Sequence, residues 1–94
     1  MPSTVLYTHT TASMSTTSAA VLAVNGNRKY ALVQNNGPAT VWLKIGATAV
    51  ANEGIRLDMG GSFEMAPHSG NLDTRAINGI TADGAATMLV TEAV

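Results

Sequence analysis

The chain contains no cysteine, so neither a disulfide framework nor a cysteine-based zinc site can staple it. It is also short of charge: Asp, Glu, Lys and Arg make up 12% of its 94 residues, about half the share usual in a soluble domain. Five basic against six acidic side chains leave a formal net charge of −1. Arg28-Lys29 is the one adjacent basic pair. Neutralising several phosphates takes several cations, so no nucleic-acid partner is expected. Hydrophobic runs never approach the length of a membrane span, and no membrane partner is expected either. The opening "MPSTVLYTHTTASMSTTSAAVLA" lacks a basic n-region and is not read as a secretion signal. A soluble chain made in the cytoplasm is the expectation.

What is present is enough for one core. A domain this small buries a modest fraction of its surface, and without disulfides or metal it gains from association. A weakly charged surface rich in Ala, Thr and Gly suits a protein that sits against other proteins.

Residues 1–19 differ from the rest. They are dominated by Ser and Thr, with one apolar cluster at Val5, Leu6 and Tyr7. Such side chains compete for backbone hydrogen bonds, and little apolar surface anchors them. The segment is expected to be an extended arm, mobile until a partner orders it.

Residues 20–94 read as strand, turn, strand. "AAVLAV" ends at the turn pair Asn25-Gly26. "RKYALVQ" is the next strand, and "NNGPA" closes a loop in which Gly37-Pro38 is expected to stop any ladder. "TVWLKIG" alternates Val41, Leu43 and Ile45 against Trp42 and Lys44. "ATAVANEG" reads as a loop or a short edge strand. "IRLDM" turns at Gly60-Gly61 into "SFEMA", a predicted hairpin with Ile55, Leu57, Met59, Phe63 and Met65 facing in. "LDTRAINGITA" is a strand interrupted at Asn78-Gly79 by a bulge or tight turn, and "TMLVTEA" is the last strand. No segment sustains a helical period. The fold expected is all-β: a single small β-sandwich or barrel, jelly-roll-like, preceded by the arm.

No constellation for catalysis stands out. His9 and His68 lack the spacing of a metal site, so no metal is expected. Asp58 and Glu64 flank the predicted hairpin and are close enough in sequence to meet, but a carboxylate pair needs a cleft and a sugar platform to act. There is no Gly-x-Ser-x-Gly elbow and no glycine-rich phosphate cradle, so no enzyme activity and no cofactor are expected. Trp42, off the core face, offers a rigid surface for a sugar ring or an interface. The chain's other aromatics are Tyr7, Tyr30 and Phe63, fewer than sugar-binding modules usually present, which favours packing.

The stretch "VLAVNGNRKYALVQNNGPATVWLKIGATA", with "GIRLDMGGSFEM" and "GNLDTRAINGITADGAATMLVTEA" after it, resembles a group of small tailed-bacteriophage virion proteins over roughly Val21 to Ala93. The resemblance rests on the Asn…Arg-Lys-Tyr…Gln-Asn strand, the "VWLKIG" strand, the "GIRLDMGGSFE" turn and the late "INGITADGAATMLVTE" segment. These are turn and strand signatures, so they speak to fold more than to role. The resemblance implies a capsid decoration (cement) protein: a structural protein on the outer surface of the virion head, bound to the major capsid protein, commonly as a homotrimer over three-fold points, and synthesised in the host bacterial cytoplasm. It gives the arm, through Val5, Leu6 and Tyr7, a strand-addition contact with the shell. Tyr30 and Trp42 become candidates for an oligomer or partner interface. The competing expectation is a receptor- or glycan-binding module of a head fibre or tail, with Trp42 as its platform.

Overall fold

The structure is a computed structural model that describes residues 6–94. Its strands are β1 (Tyr7–Met14), β2 (Ala19–Leu22), β3 (Tyr30–Pro38), β4 (Val41–Ile45), β5 (Ile55–Leu57), β6 (Ser62–Met65), β7 (Ile77–Thr81) and β8 (Ala86–Ala93), with one short 3-10 turn at Pro67–Ser69. Sheet A runs β1-β8-β3-β6 and sheet B runs β2-β7-β4-β5. All registered pairs are antiparallel. Successive strands mostly change sheet, and only β4 and β5 are neighbours in both chain and sheet. Two four-stranded sheets threaded in this order are a jelly roll, one of the forms expected from the sequence.

The core fills the space between the sheets, where strand alternation sends one side chain in two inward. Sheet A contributes Met14, Ala31, Val33, Met65, Ala86, Met88 and Val90, and sheet B contributes Val21, Leu22, Val41, Leu43, Leu57 and Ile77. Methionine supplies a large share of this filling, its flexible thioether fitting the gaps between two twisted sheets. At the centre, Gly79 has the sulfur of Met14, the Cγ2 of Val21 and the Cγ1 of Val41 around the place a Cβ would take, the sulfur only 2.6 Å from it.

Three polar side chains are buried where loops close the ends: Arg28, Asn35 and Thr81, whose hydroxyl donates to the Gly84 carbonyl at 2.7 Å. The Arg28 guanidinium donates to a Glu92 carboxylate oxygen at 2.7 Å, to the carbonyls of Asp73 and Arg75 at 2.8 and 2.9 Å, and to the carbonyl of Ala23 at 2.7 Å. It thereby ties the β2–β3 loop to the β6–β7 loop and to β8. At the opposite end, the Asn35 amide donates to the carbonyls of Ala39 and Leu57, while its Oδ1 accepts from the Gly37 N–H. Among the described residues no buried side-chain polar atom lacks a partner, as a stable interior requires.

Several local expectations are corrected. Tyr7–Met14, read as part of a free arm, is strand β1, paired with β8 from Tyr7↔Ala93 to Met14↔Ala86. Backbone hydrogen bonds hold it, because only Met14 of the strand is buried, and an apolar-pattern reading does not see that. Val5 lies outside the described residues. The Gly37-Pro38 step does not end the ladder: β3 continues to Pro38, which pairs with Ala86 after a register shift beyond Asn35. Gly60-Gly61 does not close a hairpin, since β5 and β6 belong to different sheets. Met59, in that corner, is exposed rather than facing in. Asn78-Gly79 does not interrupt β7, which pairs evenly with β4 throughout; the irregularity sits on β2, between Ala20 and Leu22.

Two substitutions check this packing in urea unfolding. Arg28→Ala strands the Glu92 carboxylate and three carbonyls, and is expected to cost about 3–5 kcal/mol, as for removing one partner of a buried ion pair. Gly79→Ala overfills the crossing of Met14 and Val21, and is expected to cost about 1–3 kcal/mol. Native-like midpoints for both variants would refute the assignments.

Candidate functional site

The exposed apolar side chains concentrate the functional question. Leu6 is 62% exposed, Tyr7 60%, Val24 70% and Met59 67%. Leu6, Tyr7 and Val24 belong to one end of the sandwich, where the chain enters β1 and the β2–β3 loop returns. There Leu6 and Val94 exchange both backbone hydrogen bonds, at 3.1 and 3.0 Å. Leu6, Gly26, Asn27, Lys29 and Val94 line an open groove of about 500 Å³. Its floor is rigid, because Arg28 is fully paired and Lys29 donates its N–H to the Ala93 carbonyl at 2.8 Å.

Beside this end, the Asp73 carboxylate accepts from the Arg75 guanidinium at 2.7 and 3.0 Å and from the Arg75 backbone N–H at 2.8 Å. Those hydrogen bonds hold the Asp73 carboxyl down at about 2, against an ordinary 3.8. The pair shapes the loop whose carbonyls receive Arg28.

The outer face of sheet A continues from the same end. Tyr7 and Tyr30 flank Ala93 in register, and their rings meet edge-to-face with centroids 6.3 Å apart at 70°. Such a pair contributes beyond its area and leaves a broad apolar surface with polar rims. The Tyr30 hydroxyl donates to a Glu64 carboxylate oxygen at 2.6 Å. That bond, with some burial and the neighbouring negative charge, raises the Tyr30 phenol above its usual 10.0. His9 Nδ1 and the Thr91 hydroxyl are 3.0 Å apart, in a shallow groove with Thr11, Gln34 and Leu89.

The candidates from the sequence are divided between surfaces. Leu6 and Tyr7 begin β1, and Tyr30 lies beside Tyr7 on sheet A. Trp42 is on sheet B, half-buried on the outer face opposite Ile80 and Arg56. Tyr30 and Trp42 are therefore on opposite sides of the molecule. Asp58 and Glu64 do not meet: Asp58 takes Arg56 and Thr40, while Glu64 takes Tyr30. Among the described residues no three His, Cys, Asp or Glu side chains converge as a metal site would require. The arrangement offers contact surfaces: a shaped apolar end, an aromatic pair beside the Glu64 carboxylate, and the edge strand β1, which has no Asp, Glu, Lys or Arg.

Sequence reasoning missed Arg28 and the strand β1. Arg28 carried one usable signal, an arginine just after a turn in a chain with so few charges. Comparison with protein-family models, with curated proteins and with solved structures finds no match.

The Asp73–Arg75 pair gives a pH prediction. Because the folded carboxyl titrates below its unfolded value, its stabilisation is complete above the ordinary 3.8 and is lost as pH falls through about 2. Carboxyl-carbon NMR is expected to place the Asp73 midpoint near 2, returning to the ordinary range in Arg75→Ala. An ordinary midpoint in the parent chain would show the pair is not formed in solution.

Proposed function

We propose that this protein is a non-enzymatic structural protein of a bacteriophage virion, which binds the outer surface of the capsid and stabilises it. The observation that carries the reading is the exposed apolar end formed by Leu6, Tyr7 and Val24 on a rigid, weakly charged sandwich. Exposed apolar groups set on a rigid frame are a docking surface, since burying them releases water at little ordering cost. The motif resemblance to small tailed-phage virion proteins supplies the partner, the major capsid protein. The jelly-roll threading is compatible with it, being shared by capsid, lectin and cupin domains, but fold alone does not assign a role.

The mechanism is linkage. A protein that binds the assembled, expanded shell and not its separated subunits stabilises the shell by mass action. Many weak contacts repeated over a symmetric lattice add through effective concentration. Leu6, Tyr7 and Val24 form the contact, with the groove between Leu6 and Lys29 receiving a side chain or loop of the shell. In place of a free arm that orders on binding, the contact is largely preformed, because Leu6 and Val94 are already locked together.

The test is co-sedimentation of the purified chain with expanded, undecorated heads of the phage whose genome encodes it. Saturable binding is expected, at a copy number matching one class of symmetry-related site, and decorated heads should survive higher temperature. Leu6→Ser combined with Val24→Ser is expected to weaken binding by at least tenfold, as two lost apolar contacts of about 1–2 kcal/mol each would do. A folded protein that leaves the heads in the supernatant and their heat resistance unchanged would contradict the proposal.

A further inference from the structure

The edges of the two sheets are not equally protected. β5 is three residues long, β6 four, and β2 four with a bulge. Short or bulged edges resist further pairing. β1 is eight residues long and keeps one unbroken register with β8. Its sequence YTHTTASM contains no proline, lysine, arginine, aspartate or glutamate. Among the described residues none of the devices that normally blunt a sheet edge is present on it.

The register fixes which groups that edge offers. Leu6 and Val94 form a hydrogen-bonded pair, and in an antiparallel ladder such pairs alternate with non-bonded ones. Thr8, Thr10, Ala12 and Met14 therefore turn their backbone groups toward β8. Tyr7, His9, Thr11 and Ser13 turn theirs to the open side, and among the described residues no backbone partner outside the sheet takes them.

We propose that this edge is a two-fold interface, in which β1 of a second copy pairs antiparallel with it and joins two copies of sheet A into one continuous sheet. One register uses every outward group: Tyr7 opposite Ser13 of the second copy, His9 opposite Thr11, and Thr10 opposite its own equivalent. Shifting by two residues in either direction leaves outward groups at the ends unpaired. The edge is self-complementary because it is uncharged. No like charges are brought together, and threonine faces threonine at the centre, a favourable cross-strand pair. Behind β1 on the same flank, β2 presents the small exposed side chains of Ala19 and Ala20, which leave room for the second copy. The inference does not depend on the capsid reading, and it gives a two-fold rather than the three-fold assembly that the family resemblance implies.

The test uses the full chain. Sedimentation velocity over a wide concentration range is expected to show a monomer–dimer equilibrium that changes little with salt. Thr10 is exposed and faces its own copy across a non-hydrogen-bonded pair, where Cα atoms lie about 4.5 Å apart, within the roughly 4.4–6.8 Å span a disulfide accepts. Since the chain has no cysteine of its own, Thr10→Cys is expected to form a covalent dimer on mild oxidation, and Thr8→Cys, opposite Ala12, to form at least tenfold less. Thr10→Lys, which sets two ammonium groups face to face, is expected to abolish the dimer with an unchanged circular dichroism spectrum. If that variant misfolds, the two cysteine variants and the parent's sedimentation decide. A monomer at every concentration, a trimer without the Thr10→Cys cross-link, or equal cross-linking at both positions would overturn the proposal. So would a monomer whose β1 amides become protected only on adding shells, since that assigns the edge to another protein's strand.

Discussion

The buried guanidinium of Arg28 is the constraint on which one end of the molecule rests. Its side chain has no exposed surface, and its ion-pair partner Glu92 keeps 19%. A charge in that position is tolerated only when its donors are met, and here one carboxylate and three carbonyls from separate segments meet them. The geometry makes the loops interdependent. The β2–β3 loop, the β6–β7 loop and the end of β8 take up positions that serve one planar fork, which a lysine's single ammonium could not span. Asn35 does the corresponding work at the other end with a neutral amide. The apolar Leu6, Tyr7 and Val24 can then stay on the surface in a fixed arrangement, because the frame beneath them does not rely on burying them.

β1 follows from the same frame. Val94 is held against Leu6, Ala93 accepts from Lys29, and Arg28 next to it grips Glu92. The C-terminal strand is thus anchored on its β3 side as well, and β1 lies along the other. A Ser/Thr-rich strand with one buried side chain gains little from the hydrophobic effect, so its order comes from a complete ladder on one side. The other side of that ladder is open. A sandwich with three protected edges and one long, unbroken, uncharged edge is asymmetric in where it can grow.

How much of this was legible in the sequence depended on whether burial or backbone geometry did the work. Strands β3, β4 and β8 carry alternating apolar residues because one face lies in the core, and their presence, though not the far end of β3, was read directly from that alternation. Trp42 was rightly placed off the core face for the same reason. β7 sends Ile77, Gly79 and Thr81 inward, so its centre looked like a break. β1 was misread because its stability lies in main-chain hydrogen bonds, which leave no pattern in side chains. The Gly60-Gly61 turn was recognised as a turn, yet a turn says nothing about whether the next strand joins the same sheet. That Tyr30 and Trp42 lie on opposite faces was not legible for that reason too, since it required knowing that β3 and β4 are in different sheets. The role of Arg28 was not legible beyond its isolation in a weakly charged chain, because a buried arginine is defined by partners distant in sequence: Ala23 aside, they sit more than forty residues away.

The segment Tyr7–Met14 is a strand zipped to β8, with its other side open for a partner. Residue-resolved amide hydrogen exchange along β1, from dilute to concentrated protein, tests it most directly. Slow exchange is expected at Thr8, Thr10, Ala12 and Met14 at every concentration. Fast exchange is expected at Tyr7, His9, Thr11 and Ser13 when dilute, slowing as the protein is concentrated. Uniformly fast exchange along the strand would mean a free arm after all, and alternation that never responds to concentration would mean the edge is not self-pairing.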